Sequence, residues 1–580
     1  MSLGDYLEDR LGTRRRLRAA LAHPIAGGPS WARSVGFTLL FLLVVLTLTG
    51  IALTTSYAPT IESAWASVHY TTYVMPHGWL LRGLHRFAAE TMLVLACAHV
   101  AMLASGGAHR KPREIGYVAA VLAIGAIAAA CITGGVLPWD QRGYWARRVE
   151  ISIAETNPLG SDLARWIQGG DDLGQLALGR MFAAHAIVLP LVIAALFRLR
   201  RRSEWTFAEK ISGRHNSGFE SYVPRQAARD LALAASTAIL IGYATNKFHG
   251  APLAAPADPS SDFPARPEWY LMWLFEVRHF ASGRMEFWAT LGVPAALFVF
   301  FAVLPWIDRR RHGASILGSI GALASLVAIV ALTHAAAERD ARDVKYQKAL
   351  AESRARAKVA IDLAMKGVPP QGPLAMLRDD PELRAETLFA DRCATCHVLG
   401  SFGDAKKATA PKLDGWSQKP WLLAMLHDPD GDDRFGRTAY RGEMPSMDVA
   451  PKGKEDFVAM PQEDALAVAQ FLAAQADGAA TDADDAGKKI VKDRCTSCHL
   501  FEGEGDDDGS GIAPELSGYG SVAWIRAQID DPSSKATYRE NALDPKRKRH
   551  MPKFGGDLSA NDVDLLARFV YAKVRGSGLD

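Results

Sequence analysis

Three histidines in apolar surroundings carry the first chemical possibility in this chain. His85 and His99 stand fourteen residues apart within the largely apolar stretch 78–103, and His185 opens another apolar stretch. Fourteen residues at 3.6 per turn is just under four turns, so both imidazoles face one way, roughly 21 Å apart along the helix. That is the spacing for two haems stacked between two helices. An ionisable side chain inside an apolar span is costly and usually functional, and a single one can also be a hydrogen-bonded packing residue. Two on one helix face, with His185 on another span, favour haem ligation.

Four of the six cysteines supply a second possibility. Cys393-Ala394-Thr395-Cys396-His397 and Cys495-Thr496-Ser497-Cys498-His499 carry the C-x-x-C-H pattern of c-type haem attachment, in which two thiols bond the porphyrin and the histidine binds iron. A lone C-x-x-C also suits zinc or a redox pair, but two copies each followed at once by histidine do not. Cys97 and Cys131 lie inside apolar stretches and read as buried small apolar residues.

The two attachment sites belong to an internal repeat of roughly 100 residues. Ala410-Pro411-Lys412-Leu413-Asp414-Gly415 recurs as Ala513-Pro514-Glu515-Leu516-Ser517-Gly518, and Trp421 with Asp428-Pro429 recurs as Trp524 with Asp531-Pro532. Each copy offers a Met-Pro pair before a closing helix: Met444-Pro445 before 463–474, and Met551-Pro552 before 560–574. A thioether as sixth ligand raises the haem potential. Met447 and Met460 compete with Met444, and His550 competes with Met551.

These groups need elements to hold them, and the composition says which. The first 340 residues are apolar and the remainder is polar, although the whole chain of 580 residues averages 49% hydrophobic against 22% charged. Seven stretches can span a bilayer as helices, at 35–56, 79–104, 115–136, 181–200, 228–247, 286–307 and 315–336. Arginine and lysine gather at Arg14, Arg15, Arg16 and Arg18, at Arg110, Lys111 and Arg113, at Arg198, Arg200, Arg201 and Arg202, and at Arg309, Arg310 and Arg311. They fall on one face of the membrane, which the positive-inside rule makes cytoplasmic. Seven crossings from a cytoplasmic N-terminus leave everything after Ala336 outside. The net charge of +3 is accounted for by topology and gives no sign of nucleic acid. No cleavable signal peptide is evident.

The expected fold is all-α: a polytopic helical membrane bundle followed by two tandem small α-helical cytochrome c domains. The segments read as 1–210 (four helices with the haem histidines), 211–337 (three helices), 338–384 (helical spacer and a joint at Gly367-Val368-Pro369-Pro370), 385–477 (first c domain) and 478–580 (second c domain). The acidic stretches 479–485 and 502–510 read as solvated linker and loop, or as a rim that steers a basic acceptor.

The first 310 residues resemble the cytochrome b subunit of quinol-oxidising Rieske/cytochrome b complexes. The residues that carry the likeness are 78–85 (Gly-Trp-Leu-Leu-Arg-Gly-Leu-His), His99, 111–114 (Lys-Pro-Arg-Glu), 137–145 (Leu-Pro-Trp-Asp-Gln-Arg-Gly-Tyr-Trp), Arg180 with His185, 257–260 (Ala-Asp-Pro-Ser) and 267–270 (Pro-Glu-Trp-Tyr). The Leu-Pro-Trp-Asp-Gln segment is closer to the plastid and cyanobacterial branch. The tail is similar to fused cytochrome b/c subunits of bacterial menaquinol-oxidising complexes, here with two haem domains.

The resemblance implies quinol oxidation at the external face, one electron passing to a Rieske iron-sulfur protein and one to the nearer b haem. It implies Glu268 as proton acceptor, Tyr270 and Tyr144 as walls of the quinol pocket, and Arg82 as partner of a haem propionate. It implies bis-histidine ligation by His85 and His185, and glycines at Gly36, Gly50 and Gly134 where porphyrins lie close to helices. The sixth-ligand and attachment groups of the tail are Met444, Met551 and the four cysteines. Partners implied are a Rieske protein, a soluble or membrane-bound cytochrome c or similar acceptor, and membrane lipid, in a homodimeric complex of the bacterial inner membrane.

Departures from the family pattern fall at one place. The family's second ligand on the fourth helix aligns with Leu199 or Arg200, neither of which binds iron, so His99 has no partner. The glycine expected fourteen residues before Gly134 is Ala120, and the cysteine that anchors an extra haem in the plastid-like branch aligns near Ser34. The deeper haem is therefore absent, altered or five-coordinate. Two functions compete: a quinol:cytochrome c oxidoreductase subunit, and a membrane-anchored electron-transfer module with no quinol site of its own. The chain holds no Rieske-type Cys-x-x-x-x-His pair.

Overall fold

A computed structural model describes residues 3–22, 24–26, 28–155, 162, 164–165, 168–170, 172–212, 219–261, 263–281, 283, 285–309, 313–450, 457–479, 485–505, 513–538 and 551–577. His550 and parts of both acidic stretches lie outside the described residues. The chain divides into two units, Met1–Leu377 and Arg378–Asp580.

Among the described residues of the first unit seven helices are long and apolar enough to cross a membrane: α1 (Trp31–Thr54), α2 (Gly78–Ser105), α3 (Glu114–Val136), α4 (Gln175–Glu204), α5 (Arg225–Lys247), α6 (Met285–Ile307) and α7 (Ile316–Arg342). The fourth is longer than its apolar run, because Gln175 to Arg180 and the arginines after Arg198 continue the helix beyond the hydrophobic centre. Leu42, Ala88, Met92, Ile127, Ile193 and Ile241, from five different helices, form the shared core. A two-stranded ribbon, β1 (Pro24–Ala26) with β2 (Phe219–Ser221), ties the segment before α1 to the segment before α5. At the far end of α6, Asp308 accepts hydrogen bonds from Arg110 (2.7 Å) and Ser315 (2.5 Å), pinning the α2–α3 loop to the start of α7. Burial alone would raise this carboxyl, but those donors hold it at about 2.

Two local features place site residues. Ala184–Val188 is a π-helical turn within α4, and Pro190 has no N–H to give the carbonyl four residues back, so the ladder is loosened where His185 sits. The segment 137–145 is bonded to 254–261: Asp140 accepts from Ala254 N–H (3.0 Å), Gln141 N–H donates to Ala255 (2.8 Å), and Gln141 Nε2 donates to Ser261 (2.9 Å). Two sequence motifs 120 residues apart thus form one layer.

The expected spacer does not stand free of the first unit. Helix α8 (Val344–Ala364) buries Ala360 and Ala364 in a cluster with Trp65, Leu253 and Ala255, and His69 bonds the Ile361 carbonyl (3.2 Å). Its alanine-rich face, read from sequence as linker composition, is a packing face.

The second unit holds both repeats. Its helices are α9 (Pro381–Arg392), α10 (Lys419–His427), α11 (Gln462–Ala476), α12 (Ala486–Ile490), α13 (Val522–Asp530) and α14 (Ala560–Arg575), with a small hairpin, β3 (Leu500–Phe501) and β4 (Glu504–Gly505). One continuous core, including Phe389, Phe471, Phe501, Phe569, Trp416 and Trp524, serves both copies.

Candidate functional site

His85 on α2 and His185 on α4 face one another, with ring centres 6.1 Å apart and planes at 72°. Two metal–imidazole bonds of about 2.0–2.1 Å in line put ring centres roughly 6 Å apart, so the gap matches one metal ion shared by both rings. Each ring is oriented from behind. His85 Nδ1 meets Thr49 Oγ1 at 2.9 Å, and Thr49 gives its own proton to the Val45 carbonyl, so it takes the one on Nδ1. His185 Nδ1 bonds the Ala130 carbonyl at 2.9 Å, with Thr133 Oγ1 at 3.5 Å. Fixing Nδ1 in this way leaves Nε2 as the ligand atom.

Two of the expected glycines lie against these imidazoles. A Cβ on Gly134 would lie 2.5 Å from His185 Cε1, and one on Gly50 3.2 Å from His85 Cε1. Gly36 stands behind His99 in the same way, its virtual Cβ 3.4 Å from Cε1.

The level of His99 is different. The ring is 2% exposed and neither nitrogen makes a hydrogen bond. On the fourth helix Arg200 is paired with Glu204. Residues 189–212 contain no histidine, methionine or cysteine. Ala120 belongs to a buried cluster with Val100, Leu103, Tyr117 and Leu304, whereas the glycine of α3 that meets the fourth helix beside Arg200 is Gly116, 2.9 Å from Ser203 Oγ by its virtual Cβ. Ser34, at the position of the plastid-branch cysteine, accepts from Gln226 Nε2 at 3.0 Å.

Glu268 lies in a charged network. Its carboxylate meets Arg86 at 2.8 Å and Arg142 at 3.7 Å, Arg86 also meets Glu90 at 2.9 Å, and Trp269 Nε1 donates to Glu90 at 3.0 Å. Arg86 follows His85 directly, so the network joins the Pro-Glu-Trp-Tyr segment to the imidazole pair. Tyr270 packs against the membrane core and Tyr144 is buried between Trp139 and Trp145 in a separate cluster. Burial pushes both phenols above their usual range and keeps them protonated. Arg82 donates to the carbonyls of Ala251 (2.7 Å) and Pro252 (3.0 Å) and to Thr72 Oγ1 (3.2 Å). Arg86, Glu90 and Arg142 were not among the expected residues. The signal was an Arg–Glu pair four apart inside an apolar span, a costly placement that calls for a partner.

The tail repeats one construction twice. His397 N–H bonds the Cys393 carbonyl (2.9 Å) and its Nδ1 the Pro411 carbonyl (2.9 Å); His499 does the same with Cys495 (2.8 Å) and Pro514 (2.8 Å). Burial lowers both imidazoles below the usual histidine range, favouring the neutral form that binds iron. The four thiols are free. Met460 is buried in the core, whereas Met444, Met447 and Met551 are partly buried against it.

Residues 26–200 match the family model "Cytochrome b/b6/petB" and residues 485–572 match "Cytochrome c". Over 163 residues the chain is 37% identical to cytochrome b6 of Emiliania huxleyi, covering 28% of this chain and 76% of that protein. This chain belongs to the cytochrome b/b6 family. It is also 36% identical over 165 residues to cytochrome b6 of Mastigocladus laminosus, again 76% of that protein. A solved structure described as "Hyperthermophilic respiratory Complex III" is similar with a TM-score of 0.48 and 21% identity, covering 57% of this chain and 96% of that one. The protein therefore joins a cytochrome b/b6 domain to a cytochrome c domain in one integral membrane chain for electron transport. Those domains carry haem b and haem c.

Proposed function

We propose that this protein is the cytochrome b/c subunit of a quinol-oxidising complex of the bacterial inner membrane. In this reading it takes electrons from quinol at the external face and passes them, with a partner Rieske protein, to its c haems and an external acceptor. The observation that carries the reading is the ion pair between Glu268 and Arg86, the residue that follows His85 on α2. His85 and His185 hold the b haem, which supplies a one-electron acceptor when bound. In this reading Glu268 takes a proton from a quinol hydroxyl, and its ion pair with Arg86 holds the carboxylate in place. Tyr270, protonated, offers a hydrogen bond at the same segment. Tyr144 and its tryptophan neighbours close the apolar side, and the bonds from Asp140 and Gln141 to 254–261 keep that wall in register with Glu268.

The level of His99 departs from the family's two-haem plan. The position of the family's second ligand on the fourth helix falls on Leu199 or Arg200, so an ordinary return of electrons to a second quinone is not expected of this chain.

The alternative, a module without its own quinol site, finds support in the engagement of Glu268 by two arginines. One substitution separates the two. In the purified complex, Glu268→Gln keeps the shape and the bond to Arg86 but cannot accept a proton. Quinol:cytochrome c reductase activity should fall about 10²-fold, within the range for a lost general base, with haem spectra unchanged. Unaltered turnover would leave the electron-transfer module as the correct reading.

A further inference from the structure

The two repeats of the tail do not form two separate bodies in sequence order. In a small haem domain built from one repeat, the helix before C-x-x-C-H would pack on the helix that closes the same repeat. Here α9, which opens the first repeat, packs on α14, which closes the second. Conversely α12, which opens the second, packs on α11, which closes the first. The crossing of α12 with α11 is tight, since a Cβ on Gly487 would lie 2.3 Å from the Ala467 carbonyl and 2.6 Å from Phe471 Cβ.

The loops after each attachment site follow the same exchange. Phe402, five residues beyond His397, meets Phe569 of α14 at 6.2 Å, and Phe389 meets that ring at 5.8 Å. Phe501, two residues beyond His499, meets Phe471 of α11 at 5.8 Å. Gln418 Nε2 donates to the Val574 carbonyl (2.8 Å), and Gly518 N–H donates to Gln475 (2.8 Å). Arg384 is paired with Asp562 at 2.7 Å.

The methionine loops stay with the closing helices. Met447 N–H bonds the Leu426 carbonyl of α10 (2.8 Å), and α10 packs on α11. Phe554 N–H bonds the Ile529 carbonyl of α13 (3.2 Å), Gln528 of α13 meets Met551 Sδ (3.4 Å), and α13 packs on α14.

The two connections cross at Ser417 and Gly520, which occupy equivalent positions of the repeat. A Cβ on Gly520, whose φ is +82°, would lie 2.5 Å from Ser417 Cβ. Beside them the equivalent rings of Trp416 and Tyr519 stand 5.2 Å apart. Residues meeting their own counterparts mark a local two-fold axis, as in an exchanged dimer, here within one chain.

We propose that each c-type haem site is built from both repeats, His397 sharing its iron with Met551 and His499 with the Met444 loop. The consequence is that neither site is complete without the other repeat. This rests on each C-x-x-C-H binding haem. That premise is checked separately by covalent haem staining of the full-length chain, which would be lost from both sites if it failed.

The test uses the full-length chain with one attachment site removed at a time. In the Cys495→Ala/Cys498→Ala background only the haem on Cys393 and Cys396 remains. There Met551→Leu should abolish the long-wavelength charge-transfer band of methionine-ligated ferric haem, and Met444→Leu should leave it. In the Cys393→Ala/Cys396→Ala background the pattern should reverse. Met551→His, which restores a sixth ligand, should turn the first haem to a bis-histidine spectrum and leave the second alone. If each methionine instead governs the haem of its own repeat, the proposal is overturned.

Discussion

His85 and His99 lie on one face of α2, yet only the first meets a partner of its own kind. Around His85 every feature agrees: a facing imidazole 6.1 Å away, a bond holding each Nδ1, and glycine behind each ring. Around His99 the glycine remains, but neither nitrogen has a hydrogen-bond partner and residues 189–212 offer no histidine to face it. The lesson is that a haem-binding level is a set of agreeing parts. Backing glycine and buried imidazole persist when the ligand opposite is lost, because both are also compatible with close helix packing.

The contrast is broken most severely at Gly134. Valine there puts a side chain where only 2.5 Å separates the new Cβ from His185, on a rigid ring rather than a flexible tail. We expect the low-spin b haem and the quinol-dependent activity to be lost almost entirely while the c haems stay, read as the b:c ratio by pyridine haemochrome. Retention of the b haem would mean that His185 is not its ligand. Alanine at Gly36, where the contact is 3.4 Å and ordinary, serves as the control with little change.

A smaller effect should follow from the bonds behind the rings. Thr49→Val removes the acceptor on His85 Nδ1 and keeps the shape, so b-haem affinity should fall about 10–100-fold, the usual consequence of losing such a partner. Thr133→Val should do much less, since His185 retains the Ala130 carbonyl at 2.9 Å and the threonine lies at 3.5 Å. Equal losses, measured by haem retention under detergent dilution, would show that the two rings are held by packing instead.

The seven spans, the His85–His99 spacing and the two attachment motifs were legible because each depends on local sequence: 3.6 residues per turn for His85 and His99, two residues between thiols. What sequence could not give was long-range exchange. The repeat near 100 residues is real, with Pro411 and Pro514 in the same role, but its spacing is the same whether a closing helix folds back on its own repeat or on the other. The packing of α9 on α14 and of α12 on α11 distinguishes them, with the crossing at Ser417 and Gly520 between. Glu268 was legible as a motif residue, whereas its bond to Arg86 joins segments 182 residues apart and needed the fold. The 338–384 segment misled through composition: alanine and charge describe a solvated helix and one packed on Trp65 equally well.

The finest test of the contrast supplies the missing part. Arg200 lies fifteen residues beyond His185 on α4, at one of the two positions where the family's second ligand falls. If one b haem is bound, the unaltered chain gives one b haem for two c haems, and Arg200→His should raise the low-spin b signal twofold without disturbing His85 and His185. The reasoning is that Gly36 and a buried, unpartnered His99 already provide one half of a site, and the new imidazole supplies the other. An unchanged spectrum would show that the level is closed by packing, with Gly116 against Ser203 as the place to look, rather than by the want of a ligand. Two b haems in the unaltered chain would instead mean that His99 already holds one, and the substitution would then alter its spin state and leave the count as it is.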